Sequence, residues 1–322
     1  MDLNAIRGGI LGMALGDALG APHEFRYSYP LQQYTGKIYL PIKYRTRYGP
    51  YQYSVIGQIT DDTSMAMALL TQLLTDKNWI ENNIIQAYLG WTNSGISFLG
   101  KNTRALLKGV TTIQGYRNRM ARIHPDSQSN GSLMRAFPLI ILFYFFPEQD
   151  AYQKALRDTN LTNPNPVNQD AILIYLTFLR LISQKVSPNQ GIPELIRISQ
   201  TEPIRMALTQ ASLGQPRNVH ENKGWIVHPI YLLAQGWLQI AQSGSFSKVI
   251  NWVILQGGDT DTNGAIVGSM LGYYLGEDKM KSEPITSENI QIILSADISK
   301  GDLPINPSYS PIVGLHFFKK KD

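Results

Sequence analysis

The stretch GGILGMALGDALG, residues 8–20, places a glycine at every fourth position, and GAIVGSMLGYYLG, residues 264–276, repeats that spacing. In an α-helix, residues four apart lie on one face. Each interior glycine costs about 1 kcal/mol relative to alanine, so a stripe of four predicts that another backbone approaches closely. We interpret both stripes as structural, like the small-residue packing of membrane helices. Tight packing at both ends of the chain would hold Asp17, Asp259 and Asp261 in fixed places.

The composition is that of an ordinary globular protein. The chain has 322 residues, of which 43% are hydrophobic and 16% are charged, so it is long enough for a large core. The net charge of +5 is a mild basic excess that suits an anionic small ligand as well as nucleic acid. The lack of cysteine excludes disulfides, thiolate metal sites and cysteine nucleophiles.

Two apolar segments resemble export or membrane signals, but neither fits. Residues 8–21 end in small residues as a signal peptide does, but Asp17 interrupts them and Arg7 alone precedes them as a basic residue. Residues 137–146 contain Pro138 and are about half the length needed to cross a bilayer. We expect no transmembrane segment, and we expect a cytoplasmic monomer.

The spacing of apolar residues predicts an all-α fold, with residues 1–322 in a single compact domain. No strand–helix alternation indicates a parallel sheet, and no linker divides the chain. Thr63 or Ser64 is expected to cap the second helix, and Gly276 is expected to end the penultimate one. The predicted helices are residues 3–15, 64–75, 80–92, 103–111, 133–145, 150–157, 168–183, 193–199, 224–241, 247–256, 263–275 and 287–296. Residues 300–322 are expected to form a C-terminal tail.

A long segment without acidic residues, residues 25–59, interrupts the helical pattern. Its prolines and glycines predict a loop with short strands. Its tyrosines and cations fit two interpretations equally, a surface excursion packed by its own side chains or a lid over an anionic ligand. The same composition suits single-stranded nucleic acid, but that interpretation rests on this segment alone, and we do not expect nucleic acid as a partner.

Two acidic clusters each precede an apolar helix. The first is Thr60-Asp61-Asp62-Thr63, and the second is Asp259-Thr260-Asp261-Thr262. Helix capping accounts for one carboxylate at a helix start, so each cluster alone fits capping and metal binding equally. The second cluster also matches the start of an EF-hand loop, but Met270 stands where that loop needs a bidentate glutamate. The EF-hand interpretation therefore fails.

Together the clusters offer only carboxylate and hydroxyl oxygens, which suit Mg²⁺ or Mn²⁺ better than Zn²⁺ or Cu²⁺. If the clusters meet, two divalent cations would neutralise the repulsion between their carboxylates. In a two-metal site the ions lie about 3.5–4 Å apart and make a bridging water nucleophilic. The residues thus predict metal-assisted hydrolysis without naming the bond.

Four blocks of sequence resemble the ADP-ribosylglycohydrolase family, which includes the dinitrogenase reductase-activating glycohydrolase and crystallin-like proteins. They occur in the family's order, and a weaker match, GWIV, lies at residues 224–227. The blocks are residues 8–24 (GGILGMALGDALGAPHE, the N-terminal helix), 57–65 (GQITDDTSM, the first metal block), 130–138 (NGSLMRAFP, the ligand-cradling loop) and 257–276 (GGDTDTNGAIVGSMLGYYLG, the second metal block).

The resemblance implies an all-helical domain with a central di-metal cleft that holds two Mg²⁺ or Mn²⁺ ions. It assigns the catalytic roles to Asp259, Asp261 and Glu24, and Glu24 is otherwise a plain salt-bridge partner. The implied metal ligands are Thr60, Asp61, Asp62, Asp259, Asp261 and Thr262. The implied substrate-binding residues are Asn130, Gly131, Ser132, Met134 and Asn163. Asn163 stands where many members carry a histidine, so the substrate preference stays open, and Arg135 fits a structural role as well as a phosphate contact.

The reaction that the resemblance implies is hydrolysis of the bond between C1″ of ADP-ribose and a protein side chain. The metals would bind ribose hydroxyls and activate water, and Asp259 or Asp261 would accept its proton. The partner would be the ADP-ribose moiety of a modified protein, N-linked to arginine as the first choice or O-linked to serine. Two alternatives remain, a catalytically idle ADP-ribose-binding or crystallin-like protein and a metal-dependent phosphoesterase acting on a nucleotide-like substrate.

Overall fold

The computed structural model describes residues 2–25, 34–38, 44–46, 49–51, 55–96, 99–123, 125–217, 224–300 and 304–319. Helices dominate these residues and confirm the all-α prediction. The α-helices, numbered in chain order, are α1 (Leu3–Gly20), α2 (Asp61–Thr75), α3 (Glu81–Thr92), α4 (Lys101–Leu107), α5 (Ile113–Met120), α6 (Leu142–Phe145), α7 (Glu148–Asn160), α8 (Pro166–Ser183), α9 (Pro188–Ile198), α10 (Glu202–Ser212), α11 (Val227–Ser243), α12 (Phe246–Leu255), α13 (Thr260–Leu275), α14 (Glu277–Lys281), α15 (Pro284–Ser295) and α16 (Pro311–Phe317). None of the described helices could span a membrane.

The glycine stripes join α1 to α13, as their spacing predicts. A Cβ added to Gly12 would lie 2.1 Å from the carbonyl oxygen of Gly268, and one added to Gly16 would lie 1.9 Å from that of Gly264. No residue with a side chain fits between backbones this close, so the two helices are in direct backbone contact. Gly276 ends α13 as predicted, with φ of 76°.

Helix α2 begins three residues earlier than predicted, because its cap is Thr60 and not Thr63 or Ser64. The Thr60 hydroxyl accepts a hydrogen bond from the Asp62 backbone N–H at 3.3 Å. The Asp17 carboxylate, from α1, accepts hydrogen bonds from the backbone N–H of Thr60 at 3.0 and 3.1 Å. It also accepts from the backbone N–H and the hydroxyl of Thr63, at 3.2 and 2.6 Å. The start of α2 is thereby anchored to the α1–α13 pair.

The helix predicted for residues 133–145 is wrong. The structure has 3₁₀ turns at Asn130–Ser132 and Phe137–Ile141, followed by the single turn of α6. Pro138 has no N–H to donate and disfavours helical geometry at the residue before it. The chain therefore reaches α6 through irregular turns.

The periodicity also missed α5, α10, α14 and α16. Helix α5 is short and mostly polar, α14 has five residues, and prolines open α10 and α16. The predicted C-terminal tail thus contains a packed helix, since a Cβ at Gly314 of α16 would lie 2.7 Å from the sulfur of Met67 in α2. Helix α9 begins five residues before its predicted start, because Pro188 is well suited to a first helical turn.

The segment 25–59 contains the short strands that its composition predicts. Strand β1 (Tyr44–Thr46) pairs antiparallel with β2 (Gly49–Tyr51), and Tyr44 lies opposite Tyr51. The described part of this segment leaves out residues 26–33, 39–43, 47–48 and 52–54. The choice between a lid and a surface excursion depends on them and therefore lies outside the described residues.

Candidate active site

A cleft of about 510 Å³ lies where the starts of α2 and α13 meet. Both acidic clusters line it, so the structure brings together the carboxylates that the sequence places about 200 residues apart. The predicted site residues on its wall are Glu24, Thr60, Asp61, Asp62, Asn130, Gly131, Met134, Asp259, Asp261 and Thr262. Ser132 and Asn163 are absent from the described wall.

The second cluster is presented by two glycines in left-handed geometry. Gly257 and Gly258 have φ of 76° and 78°, a conformation that other residues rarely adopt. The carbonyl oxygen of Gly258 accepts a hydrogen bond from the Phe25 backbone N–H at 2.6 Å. That bond holds the neighbouring Glu24 close to the second cluster. Carboxylate oxygens of Glu24, Asp259 and Asp261 lie within 4.8 Å of one another. The structure therefore places Glu24 in the acidic cluster.

Asn130 connects the loop at residues 130–138 to the second cluster. Its side-chain amide donates to Asp259 Oδ2 at 2.8 Å, and its backbone N–H donates to the carbonyl of Gly224 at 2.9 Å. Gly224 has φ of 78°, and a Cβ there would lie 2.9 Å from Asp259 Oδ2. Only glycine leaves room for the carboxylate in this position.

Trp225 is a cleft residue that the sequence reasoning missed. It lines the cleft, its side chain is 55% exposed, and its backbone pairs with Ser129 in an isolated bridge. The signal was present in the GWIV match, where a tryptophan directly follows a glycine. An exposed indole beside carboxylates is an aromatic surface on which a base or ribose can stack.

Arg135 supports the loop from behind and is fully buried. Its guanidinium donates to the carbonyl of Gly131 at 2.6 Å and to the hydroxyl of Thr162 at 2.9 Å. It also pairs with Asp158 at 3.2 Å and donates to the Tyr88 hydroxyl at 2.9 Å. Of the two roles left open by the sequence, the structure supports the structural one.

Ser132 and Asn163 belong to the same supporting layer and not to the cleft surface. Asn163 is buried and donates to the backbone oxygen and hydroxyl of Ser129 at 3.2 and 2.9 Å. The buried Ser132 hydroxyl accepts from Asn168 at 3.3 Å. In this geometry both residues hydrogen-bond to the loop or to residues that support it, and their predicted part in substrate binding stays a prediction.

The cleft concentrates negative charge that its protein neighbours do not balance. Desolvation, together with the charge of the neighbouring Asp17, raises the pKa of Asp61 to about 6. Burial likewise raises the pKa of Asp17 to about 6, and burial with the charges of Glu24 and Asp259 raises the pKa of Asp261 well above its usual value. Lys101 is the one basic side chain among the described cleft residues.

The same carboxylates fit hard divalent cations. Burial and the charge of Asp17 raise the pKa of Asp62 well above its usual value. Asp62 Oδ1 is buried and has no hydrogen-bond partner among the described residues, whereas Asp62 Oδ2 accepts from the Thr60 hydroxyl at 2.8 Å. A buried, unpartnered carboxylate oxygen is costly unless a cation or proton satisfies it. The donor set, carboxylates with threonine hydroxyls, suits Mg²⁺ or Mn²⁺.

A family model described as ADP-ribosylglycohydrolase matches residues 2–286. The chain belongs to the ADP-ribosylglycohydrolase family. This confirms the resemblance seen in the four sequence blocks, and each of those blocks contributes residues to the cleft wall. Membership supports a hydrolase that removes ADP-ribose.

Relatives of this ADP-ribosylglycohydrolase family member align over most of its length. A protein of Acanthamoeba polyphaga mimivirus, provisionally named an ADP-ribosyl glycohydrolase, is 25% identical over 303 residues, covering 83% of this chain and 86% of its own. The ADP-ribosyl-(dinitrogen reductase) glycohydrolase of Rhodospirillum rubrum is 25% identical over 281 residues, covering 85% and 87%. A solved structure of an ADP-ribosylglycohydrolase-related protein complex shares the fold, with a TM-score of 0.64 at 22% identity over 91% of this chain and 99% of that one.

Proposed function

We propose that this protein removes ADP-ribose from a modified protein side chain by metal-dependent hydrolysis, with N-linked arginine as the first linkage and O-linked serine as the second. The observation that carries the proposal is the convergence of four aspartates from two distant helix starts in one cleft. Family membership supports the ADP-ribose group as the ligand.

The two helix starts would together hold two Mg²⁺ or Mn²⁺ ions. Bound ions supply Lewis acidity toward water and toward ribose hydroxyls. The residues that would hold them are Thr60, Asp61, Asp62, Asp259, Asp261 and Thr262. Asp17 does not line the cleft, but its four hydrogen bonds to Thr60 and Thr63 fix the direction in which Asp61 and Asp62 face.

Asp259 and Asp261 are the two candidates to accept a proton from the attacking water, and their carboxylate oxygens lie within 4.8 Å of each other and of Glu24. The Asp259 carboxylate accepts a hydrogen bond from the Asn130 amide at 2.8 Å, which fixes its orientation. We therefore assign proton transfer to Asp261 and orientation to Asp259.

The cleft also fits the size of ADP-ribose. A volume of about 510 Å³ lies within the range of about 300–1,000 Å³ that is usual for small-molecule sites. Lys101 on the wall offers a cation to the diphosphate, and Trp225 offers a stacking surface to an aromatic base.

Product analysis with defined substrates tests the proposal. Peptides ADP-ribosylated on arginine or on serine are incubated with the protein in Mg²⁺, Mn²⁺ or EDTA, beside an Asp261→Asn variant and an Asp150→Asn control on the exposed start of α7. We expect metal-dependent release of intact ADP-ribose from one linkage, lost in Asp261→Asn and kept in Asp150→Asn.

Each other product pattern points to a different function. AMP or ribose phosphate would identify a phosphoesterase. ADP-ribose binding without release from either peptide would identify a binding protein. Release that persists in EDTA would contradict the metal dependence.

A further inference from the structure

Helices α4 and α5 and their flanks carry an unusually one-sided charge. Residues 99–123 contain six lysines and arginines and no acidic residue, which exceeds the net charge of +5 of the whole chain. These cations, which we call the α4–α5 basic face, are Lys101, Arg104, Lys108, Arg117, Arg119 and Arg122. Arg119 joins the two helices, since it donates to the carbonyl oxygens of Ala105 and Lys108 at 3.2 and 2.8 Å.

The basic face begins at the mouth of the cleft. Gly100, Lys101, Asn102 and Thr103 line the cleft wall, and the Gly100 backbone N–H points to Asp61 Oδ2 at 3.4 Å. The chain then leads from this wall through α4 to the exposed Lys108 and, past α5, to the exposed Arg122. At 1.5 Å per residue, α4 places Lys108 about 10 Å from Lys101 on the cleft wall, and Arg119, three residues before Arg122, hydrogen-bonds the carbonyl of Lys108. Residues that flank a modified side chain in the cleft can extend over this distance.

Local structure accounts for only part of this charge. Arg104 and Arg117 lie in the last turns of α4 and α5, where a cation is stabilised by the helix dipole, and Arg119 caps the end of α4. Lys101 lies in the first turn, where the dipole opposes it. Lys101, Lys108 and Arg122 are exposed and form no ion pair among the described residues. The charges of Lys108 and Arg122 therefore remain available to a partner. Lys101 lies on the cleft wall, where Asp126 partly offsets its charge and where the proposed function assigns it to the diphosphate.

We propose that the α4–α5 basic face binds acidic side chains that flank the ADP-ribosylated residue of a protein substrate. This inference rests on the proposed function, because the ADP-ribose group is what brings the flanking residues to the face. Exposed charges of this kind change the rate and strength of encounter more than the chemical step, and their reach is about 8 Å at physiological salt. The face therefore sets KM for acidic targets and leaves kcat unchanged.

A protein partner fits this surface better than single-stranded nucleic acid. Nucleic-acid grooves interleave cations with exposed aromatic rings on which bases stack. The aromatic residue of this segment, Tyr116, is 3% exposed and donates its hydroxyl to the carbonyl of Leu161 at 2.6 Å. The described segment thus offers charge without a stacking surface.

The test compares substrates that differ only in flanking charge. Two peptides share one ADP-ribosyl linkage, one with glutamates beside the modified residue and one with glutamines, and the free ADP-ribosylated amino acid is the third substrate. The variant is Lys108→Glu with Arg122→Glu. The control is Arg157→Glu with Arg197→Glu, which makes the same charge change in the exposed last turns of α7 and α9, away from the cleft wall.

We expect the wild-type protein to prefer the glutamate peptide through a KM lower by about tenfold at low salt, and we expect that preference to disappear in Lys108→Glu with Arg122→Glu. Turnover of the free amino acid and of the glutamine peptide should stay within about twofold, and the control pair should keep the preference. Equal KM values for the two peptides with the wild-type protein, or equal loss in the control pair, would overturn the inference.

The design separates this inference from the proposed function. If the free ADP-ribosylated amino acid is not hydrolysed, the proposed function fails, and binding of the two labelled peptides, followed by fluorescence anisotropy, still measures the charge preference. Binding of a labelled single-stranded oligonucleotide that is lost in the double variant, without any peptide preference, would assign the face to nucleic acid and overturn the proposal.

Discussion

Replacing Gly268 with alanine tests the backbone contact on which the site depends. Alanine in place of an interior helical glycine normally stabilises a helix by about 1 kcal/mol. At Gly268 of α13, however, the added Cβ would lie 2.2 Å from the carbonyl oxygen of Gly12 and 3.0 Å from its carbon. Ordinary contact between such atoms needs about 3.5 Å, so α1 and α13 would have to separate by about 1 Å.

The clash should reverse the usual sign of the substitution. Overpacking a core costs about 1–3 kcal/mol, and the upper part of that range applies because a backbone carbonyl cannot rotate away as a side chain does. After the gain in helix propensity is subtracted, Gly268→Ala should destabilise the protein by about 2 kcal/mol. A chain of 322 residues has an unfolding entropy of about 0.7 kcal/mol/K, so this destabilisation lowers Tm by about 3 °C.

Thermal unfolding in EDTA, followed by circular dichroism, measures the effect. Gly90→Ala is the matched control, because Gly90 is also helical and the atom nearest its added Cβ is the Tyr309 hydroxyl at 3.8 Å. Gly90→Ala should raise Tm slightly or leave it unchanged. If Gly268→Ala shifts Tm in the same direction as Gly90→Ala, the close packing of α1 on α13 is refuted.

Three further predictions concern the supporting layer, the titration of the cleft and the aromatic wall. Arg135→Met should lower the free energy of unfolding in urea by about 3–5 kcal/mol, because it leaves the buried charge of Asp158 without its partner. Adding Asp158→Asn should recover part of that loss. No recovery would argue against the ion pair. The pKa values of Asp17 and Asp61 are raised to about 6, so the metal-free fold loses stability as pH rises toward and through 6. Mn²⁺ binds the deprotonated carboxylates and should therefore raise Tm more near pH 7.5 than near pH 5. Equal Tm shifts at the two pH values would contradict this prediction. Trp225→Ala should raise KM about tenfold with little change in kcat, since stacking on a base is worth about 1–3 kcal/mol, whereas Trp225→Phe should keep most of the affinity.

The sequence predicts the parts of this protein where one residue type repeats at a regular spacing, and the parts where polar residues interrupt an apolar pattern. Glycines four apart are costly in a helix, so the contact between α1 and α13 follows from the spacing alone, as the structure confirms. Paired aspartates exceed the needs of a helix cap, so both clusters were recognisable, and their convergence in one cleft agrees with the family resemblance. Glu24 could be placed in the site only through that resemblance, because nothing in its local sequence separates it from a surface glutamate.

Other features depend on contacts that no local pattern contains. Asp17 stands among apolar residues of α1, and its role as the anchor of α2 appears only when Thr60 and Thr63 are seen to donate to it. Asn163 donates hydrogen bonds to Ser129, 34 positions away, a contact that the sequence does not indicate. Arg135 is buried by partners 23 to 47 positions away, which sequence spacing cannot indicate.

Helix boundaries were least predictable where competing local preferences are close in energy. Pro138 stands inside an apolar run that otherwise has helical spacing, and the proline decides the outcome in favour of 3₁₀ turns. Helix α5 has few apolar residues and forms because Tyr116 packs and hydrogen-bonds across to Leu161. Tertiary contact overrides weak local propensity in such elements.

Metal titration of the stripped protein, with ADP-ribose release measured at each addition, tests the central claim most directly. That claim is that both acidic clusters form one metal-dependent centre. Activity toward the cleaved linkage should be absent without metal and should saturate at about two Mn²⁺ per chain. It should be lost both in Asp62→Asn, from the first cluster, and in Asp259→Asn, from the second. Full activity without metal, or with either cluster neutralised, would contradict the account.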